Sequence, residues 1–165
     1  MTSGDGVVVW LTGLPSSGKS TLALRVRNRL RRPAVVLDSD ALRDLLELES
    51  YTAKDRDRFY RVLANLAASF ARQGFVVLVA ATAHRRLHRE HARRVAPRFV
   101  EVWVATPLDE CTRRDVKGLY AKAHAGTITS LPGVDLPYDP PREPDVTATG
   151  GLDDAAVIAI QQLVE

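Results

Sequence analysis

Cysteine occurs once, at Cys111, so no disulfide can form within the chain and no multi-cysteine zinc or iron–sulfur site can be assembled. A reducing, cytoplasmic compartment is the expectation. Long hydrophobic runs are equally scarce. The longest, Val7 to Leu11 and Phe75 to Ala81, fall far below the roughly 18 apolar residues of a membrane span. The opening MTSGDG lacks a basic stretch followed by an apolar core, so neither a secretory signal nor a membrane partner is expected. Neither sign of charge dominates: 23 Lys and Arg against 20 Asp and Glu give +3. That balance suits a small anionic ligand and falls short of the dense basic character of a nucleic-acid binder. No internal repeat or low-complexity tract is present. What remains is an ordinary globular composition, 45% apolar and 26% charged over 165 residues. A single domain over 1–165 is expected, burying about 70% of the surface of the unfolded chain.

The β-branched run Val7 to Leu11 reads as a buried strand, followed by the turn-forming stretch Thr12 to Gly18 and a helix from Lys19 to Arg31. Pro33 ends that helix, Ala34 to Leu37 forms a second strand, and the polar group Asp38-Ser39-Asp40 leads into a helix over Ala41 to Glu49. In the next helix, Lys54 to Gln73, the residues Phe59, Val62, Leu63, Leu66 and Phe70 recur at helical spacing, and Gly74 stops it. Phe75 to Ala80 and Phe99 to Ala105 are further strands, separated by a basic helix over Arg85 to Ala96. Pro107 to Arg114 opens a helix, five prolines make 132–144 an irregular loop, and Leu152 to Val164 is a closing helix. Strands alternating with helices, the strands nearly continuous in apolar residues, indicate an α/β doubly wound, mostly parallel sheet covered on both faces.

Gly13-Leu14-Pro15-Ser16-Ser17-Gly18-Lys19-Ser20 matches G-x-x-x-x-G-K-[ST] in full and lies between an expected strand and an expected helix. Glycines at both ends let backbone N–H groups turn inward onto phosphate oxygens, and the helix that starts near Lys19 adds its positive end. Lys19 reaches the β and γ phosphates, the Ser20 hydroxyl is a Mg²⁺ ligand, and Thr21 completes the nucleotide-binding set; ATP and Mg²⁺ are the implied cofactors. Asp38 and Asp40 follow the second strand, at the carboxyl ends where open α/β sheets bind ligands. They are candidates for the metal shell and for accepting a proton from an attacking hydroxyl; a helix cap is the plainer role for one of them. Arg113, Arg114, Lys117 and Lys122 follow the fourth strand, with Gly118 and Gly126 as hinges. A lid over about 113–133 folding onto a phosphoryl group accounts for them.

In these blocks the sequence resembles the adenylylsulfate (APS) kinase family. The resemblance rests on the phosphate loop, on LDSDALR (Leu37 to Arg43), on Asp55-Arg56, on TPLDECTRRDVKGLYAKAHAG (Thr106 to Gly126) and on PYDPP (Pro137 to Pro141), colinear over nearly the whole chain. It implies a P-loop kinase fold and transfer of the ATP γ-phosphoryl group to the 3′-hydroxyl of adenosine 5′-phosphosulfate. It implies that Lys19, Asp38 and Asp40 are catalytic, with Asp40 nearest the acceptor hydroxyl and Asp38 in the metal shell with Ser20. Arg43 and Arg56 would bind the phosphosulfate end, Lys117, Leu119 and Tyr120 belong to the lid, and Arg114 joins the nucleotide site.

The sequence departs from that family at several acceptor positions. Tyr51 and Leu131 stand where phenylalanines sandwich the acceptor's adenine, Phe59 replaces an asparagine, and Ala83-His84-Arg85 replaces a serine-proline-aromatic turn. A paralogous kinase with another anionic nucleotide or hydroxylated metabolite as acceptor, and a nucleotide-binding regulator with little transfer, are therefore the alternatives; a homodimer is compatible with either. Elsewhere, His84, His88 and His91 have zinc-like spacing but no carboxylate or cysteine pattern to complete a site, so they and the arginines of 85–98 read as a wet basic helix face. Cys111 reads as structural, and Trp10 and Trp103 as core.

Overall fold

The computed structural model describes residues 6–165; most of the MTSGDG stretch read for a targeting signal lies outside the described residues. Five strands form one sheet in the order β2-β3-β1-β4-β5, every neighbouring pair parallel: β1 (Val7–Thr12), β2 (Ala34–Asp38), β3 (Val76–Ala80), β4 (Phe99–Val104) and β5 (Val146–Ala148). Because successive side chains of a strand point to opposite faces, β1 alone contributes to both sides of the core. Val7, Val9 and Leu11 pack with Leu22 and Val26 of α1 (Lys19–Arg29) and Ile160 of α7 (Asp154–Val164). Val8 and Trp10 pack on the other face with Leu63, Ala64 and Ala67 of α3 (Ala53–Arg72) and Ala92 of α4 (Arg86–Val95). Three short helices complete the chain: α2 (Ser39–Leu45), α5 (Leu108–Arg114) and α6 (Leu119–His124). Among the described residues, no helix is long and apolar enough to cross a membrane.

This order puts β1 between β3 and β4: the chain leaves β1 for β2 and β3 on one side and then crosses from β3 to β4 and β5 on the other, so the loop after β1 opens at the point where such sheets bind ligands. Several sequence expectations are corrected. The strand β5 is not among the expected elements, and the 113–133 segment contains α6. The first two helices end at Arg29 and Leu45, short of Arg31 and Glu49. Val62 and Leu66 are exposed, because α3 lays its alanines against the sheet and turns those larger side chains outward. Trp103 is only half-buried, whereas Trp10 is wholly buried. The basic stretch is a wet face only in part: Arg85, Arg93, Arg94 and Arg98 are exposed, whereas His84, His88 and Arg89 are buried. Arg89 sends Nε to Glu101 at 2.9 Å and its two Nη groups to the carbonyls of Ala83 and Asp139, each at 2.6 Å. Burying a guanidinium is tolerable when each side of its fork meets an oxygen.

Candidate functional site

The loop between β1 and α1 is shaped by contacts a side chain would destroy. Gly18 has φ of 101°, and a Cβ on it would lie 2.5 Å from the Gly151 nitrogen. A Cβ on Gly13 would meet the Val104 carbonyl at 2.6 Å. Thr106, just beyond β4, donates its hydroxyl to the Ser17 carbonyl at 2.7 Å and pins the loop from below. Helix α1 has no side-chain cap and no acidic residue in its first turn, leaving its positive end for an anion. Lys19 folds back so that Nζ donates to the carbonyls of Gly13 and Leu14 at 2.9 and 2.8 Å. Burial lowers its pKa to about 8, with the Asp40 and Asp38 carboxylates among the groups opposing that fall.

Beside the loop, the Ser20 hydroxyl donates to Asp38 Oδ2, while Asp38 Oδ1 accepts from the backbone N–H groups of Asp40 and Ala41 at 3.0 and 3.2 Å. Asp38 thus caps α2 and holds Ser20 at once. A hydroxyl and a carboxylate are hard oxygen donors, the set that Mg²⁺ shares with substrate phosphates and water. Among the described residues, no group of three or more His, Cys, Asp or Glu could hold a metal ion. Asp40 pairs with Lys117, and both side chains are half exposed.

A cavity of about 740 Å³ joins these groups. Pro15 to Thr21, Asp38 and Asp40 line it together with Arg43, Tyr51 and Arg56, and Arg114, Lys117, Leu119 and Leu131 belong to the same lining. Gly13 and Leu14 lie outside the lining; Leu14 packs against the cluster of Cys111, Tyr120 and Leu131. Phe59 is also outside it, beneath the Arg43 guanidinium, whose centre is 4.0 Å from the Phe59 ring and 4.4 Å from that of Tyr51. Arg56 donates to the Ser130 carbonyl at 2.7 Å and its centre is 5.4 Å from the Tyr51 ring. The segment after α5 is stitched to the phosphate loop, Tyr120 Oη donating to the Pro15 carbonyl at 2.8 Å and the Val116 N–H to Ser16 Oγ at 3.2 Å. Arg114 pairs with Glu110 one turn away. Cys111 is fully buried with its thiol pushed up by burial.

Sequence reasoning gave no role to Tyr60 or Thr82 and met His84 only as part of a turn that departs from the family; all three line the cavity, beyond the end of β3 or on α3. The signal for Thr82 and His84 was their place just past the carboxyl end of a central strand. Tyr60 sits within the helical pattern of α3 and carries none.

The family model described as adenylylsulphate kinase matches residues 5–149. An adenylyl-sulfate kinase of Synechococcus sp. (strain JA-2-3B'a(2-13)) is 41% identical to the chain, covering 96% of it and 94% of the relative. One of Paraburkholderia xenovorans (strain LB400) is 42% identical, covering 88% and 84% respectively. Among solved structures, that of the Mycobacterium tuberculosis APS kinase CysC in complex with AMPPNP and APS superposes with a TM-score of 0.88 at 41% identity, covering 96% of this chain and 98% of that one.

Proposed function

We propose that this chain, which belongs to the adenylylsulphate kinase family, transfers the γ-phosphoryl group of ATP to the 3′-hydroxyl of adenosine 5′-phosphosulfate. The observation that carries the assignment is one cavity lined together by the phosphate loop, the Asp40 carboxylate and the arginine pair Arg43 and Arg56. The fold holds both reactants and supplies charge, which is most of what a loose phosphoryl-transfer transition state demands. The loop amides, the α1 terminus and Lys19 bind the β and γ phosphates of ATP. Ser20 and Asp38 are the residues that would hold Mg²⁺, which supplies charge neutralisation across those phosphates.

Asp40 accepts the proton of the acceptor hydroxyl as its oxygen forms the new bond to phosphorus and the bridging oxygen leaves with ADP. Arg43 and Arg56 hold the acceptor's anionic end. Lys117 leaves Asp40 to meet the transferring oxygens, and Arg114 leaves Glu110 to cover the nucleotide. A stacking ring from Tyr51 and an apolar wall from Leu131 and Leu119 take the acceptor base. Such a reaction suits the reducing cytoplasm that a lone buried cysteine tolerates. The test is incubation with ATP, Mg²⁺ and a panel of nucleotide acceptors including APS, with direct detection of the 3′-phosphorylated product. ADP formation dependent on APS supports the assignment; ATP binding without acceptor-dependent turnover refutes it.

A further inference from the structure

His84 is nine-tenths buried, 6% exposed, yet lines the cavity. Among the described residues, neither ring nitrogen has a hydrogen-bond partner, and of the two only Nδ1 is sealed from solvent. A sealed N–H without an acceptor is the costlier orphan, since the lone pair of an unprotonated nitrogen is the weaker demand. The proton therefore belongs on Nε2, the nitrogen left open. The ring is neutral: burial, followed by the nearby His88, Arg56 and Arg85 cations or rings, pushes its pKa down to about 4, with Asp57 alone opposing.

The placement is built, not incidental. Ala83, immediately before, has φ of 42°, a left-handed conformation rare for a residue with a side chain, and it turns His84 off the line of β3. That turn is clamped by Arg89 on the Ala83 carbonyl and by the Asp139 N–H on the His84 carbonyl at 2.8 Å. The ring is backed edge-to-face by His88 at 5.3 Å between centroids, and His88 is fixed in turn by Asp57 at 2.7 Å and by the Tyr60 ring at 4.6 Å.

We propose that His84 is a specificity-determining residue of the acceptor pocket, donating its Nε2–H to an anionic oxygen of the acceptor beside Arg56. This rests on the acceptor reading given above, and it adds a directional, uncharged donor to a pocket whose other anion-binding groups are guanidiniums. A donor held this way recognises where an oxygen lies, which charge alone does not.

The test compares the wild-type chain with His84→Ala, His84→Gln and His84→Asn. The Gln amide nitrogen reaches near the position of Nε2, whereas that of Asn falls near Nδ1. Loss of a hydrogen bond to a charged oxygen predicts a rise of roughly tenfold or more in the KM for APS in His84→Ala. The KM for ATP and kcat should stay within about twofold, His84→Gln should recover most of the loss, and His84→Asn should not. Calorimetric binding of APS to the ADP-bound protein should show the same order. An unchanged KM for APS in His84→Ala overturns the proposal, as does equal loss in all three variants together with a lowered Tm. Failure of the wild-type chain to turn over or bind APS overturns the acceptor reading and this proposal with it; wild-type turnover beside an indifferent His84→Ala overturns this proposal alone.

Discussion

Replacing Arg89 by Ala should unfold the protein at a markedly lower temperature, although the residue touches no substrate. Its guanidinium joins four separate stretches of chain: α4, which carries it, β4 through Glu101, the turn after β3 through Ala83, and the proline-rich loop through Asp139. Glu101 has a side chain only 11% exposed, and its other cationic partner is the half-exposed Arg93 at 3.3 Å. Removing one member of a buried ion pair strands the other, at a cost of about 3–5 kcal/mol. For a chain of this size each kcal/mol lowers Tm by roughly 2–4 °C, so a fall of about 6–20 °C is expected. Arg89→Lys should fall between, since an ammonium keeps the charge but cannot reach three oxygens in a plane. Thermal unfolding followed by circular dichroism, on ligand-free protein at one concentration, measures all three. A shift below about 3 °C for Arg89→Ala would show that the knot is not cooperative with the fold.

Lys19→Ala should lower kcat by about 10³-fold or more while leaving the circular dichroism spectrum unchanged, because its ammonium stabilises charge on the transferring group and fills no core space. Since Lys19 titrates near 8 in the free protein, it is charged below that value and neutral above it. Hence kcat/KM for ATP should decline as pH rises through about 8, and Lys19→Arg should abolish that limb. Asp40→Asn should depress kcat far more than it alters the KM for ATP, read from initial rates at saturating APS; equal effects on both would remove Asp40 from the acceptor hydroxyl. Gly18→Ala should abolish nucleotide binding in a calorimetric titration, since its Cβ would collide with Gly151 at a backbone angle that disfavours side chains.

What the sequence made legible is what depends on local pattern. The run at Val7 to Leu11 is apolar at every position, rich in β-branched valine and bounded by a glycine turn, which marks a strand covered on both faces, and the eight residues from Gly13 announce their own turn and helix start. The three-residue β5 escaped because Val146-Thr147-Ala148 is too short to show a period; its pairing with β4 is a tertiary fact. The basic stretch misled for a related reason. Arg89 is buried because Glu101 waits on another element, and nothing in the spacing of α4 distinguishes it from its exposed neighbours Arg93 and Arg94. Histidines at 84 and 88 read as solvated for want of visible partners, while Asp57, one turn into a different helix, is the partner His88 has.

The acceptor end is where family pattern and this chain differ, and the geometry changes what one of those differences means. Phe59, in the place of an asparagine, does not face the cavity; it supports Arg43 from below at 4.0 Å, while Tyr51 meets the same guanidinium at 4.4 Å. A guanidinium resting on ring faces keeps its N–H groups in its own plane, available at its edges to an anion, and loses little freedom when one binds. Arg43 also gives Nη1 to the Ser50 carbonyl at 3.2 Å, so its orientation is fixed before any ligand arrives. The substitution therefore alters how the Arg43 guanidinium is held, not the lining of the cavity. Leu131, by contrast, is a change in the cavity lining, though it too is tied into the buried cluster with Cys111 and Tyr120. On the acceptor reading proposed above, recognition divides by chemistry: Arg43 and Arg56 would supply charge, the half-exposed ring of Tyr51 would supply a face for the base, and the turn at Ala83, held by Arg89, sets His84 past the end of β3 to meet a remaining oxygen.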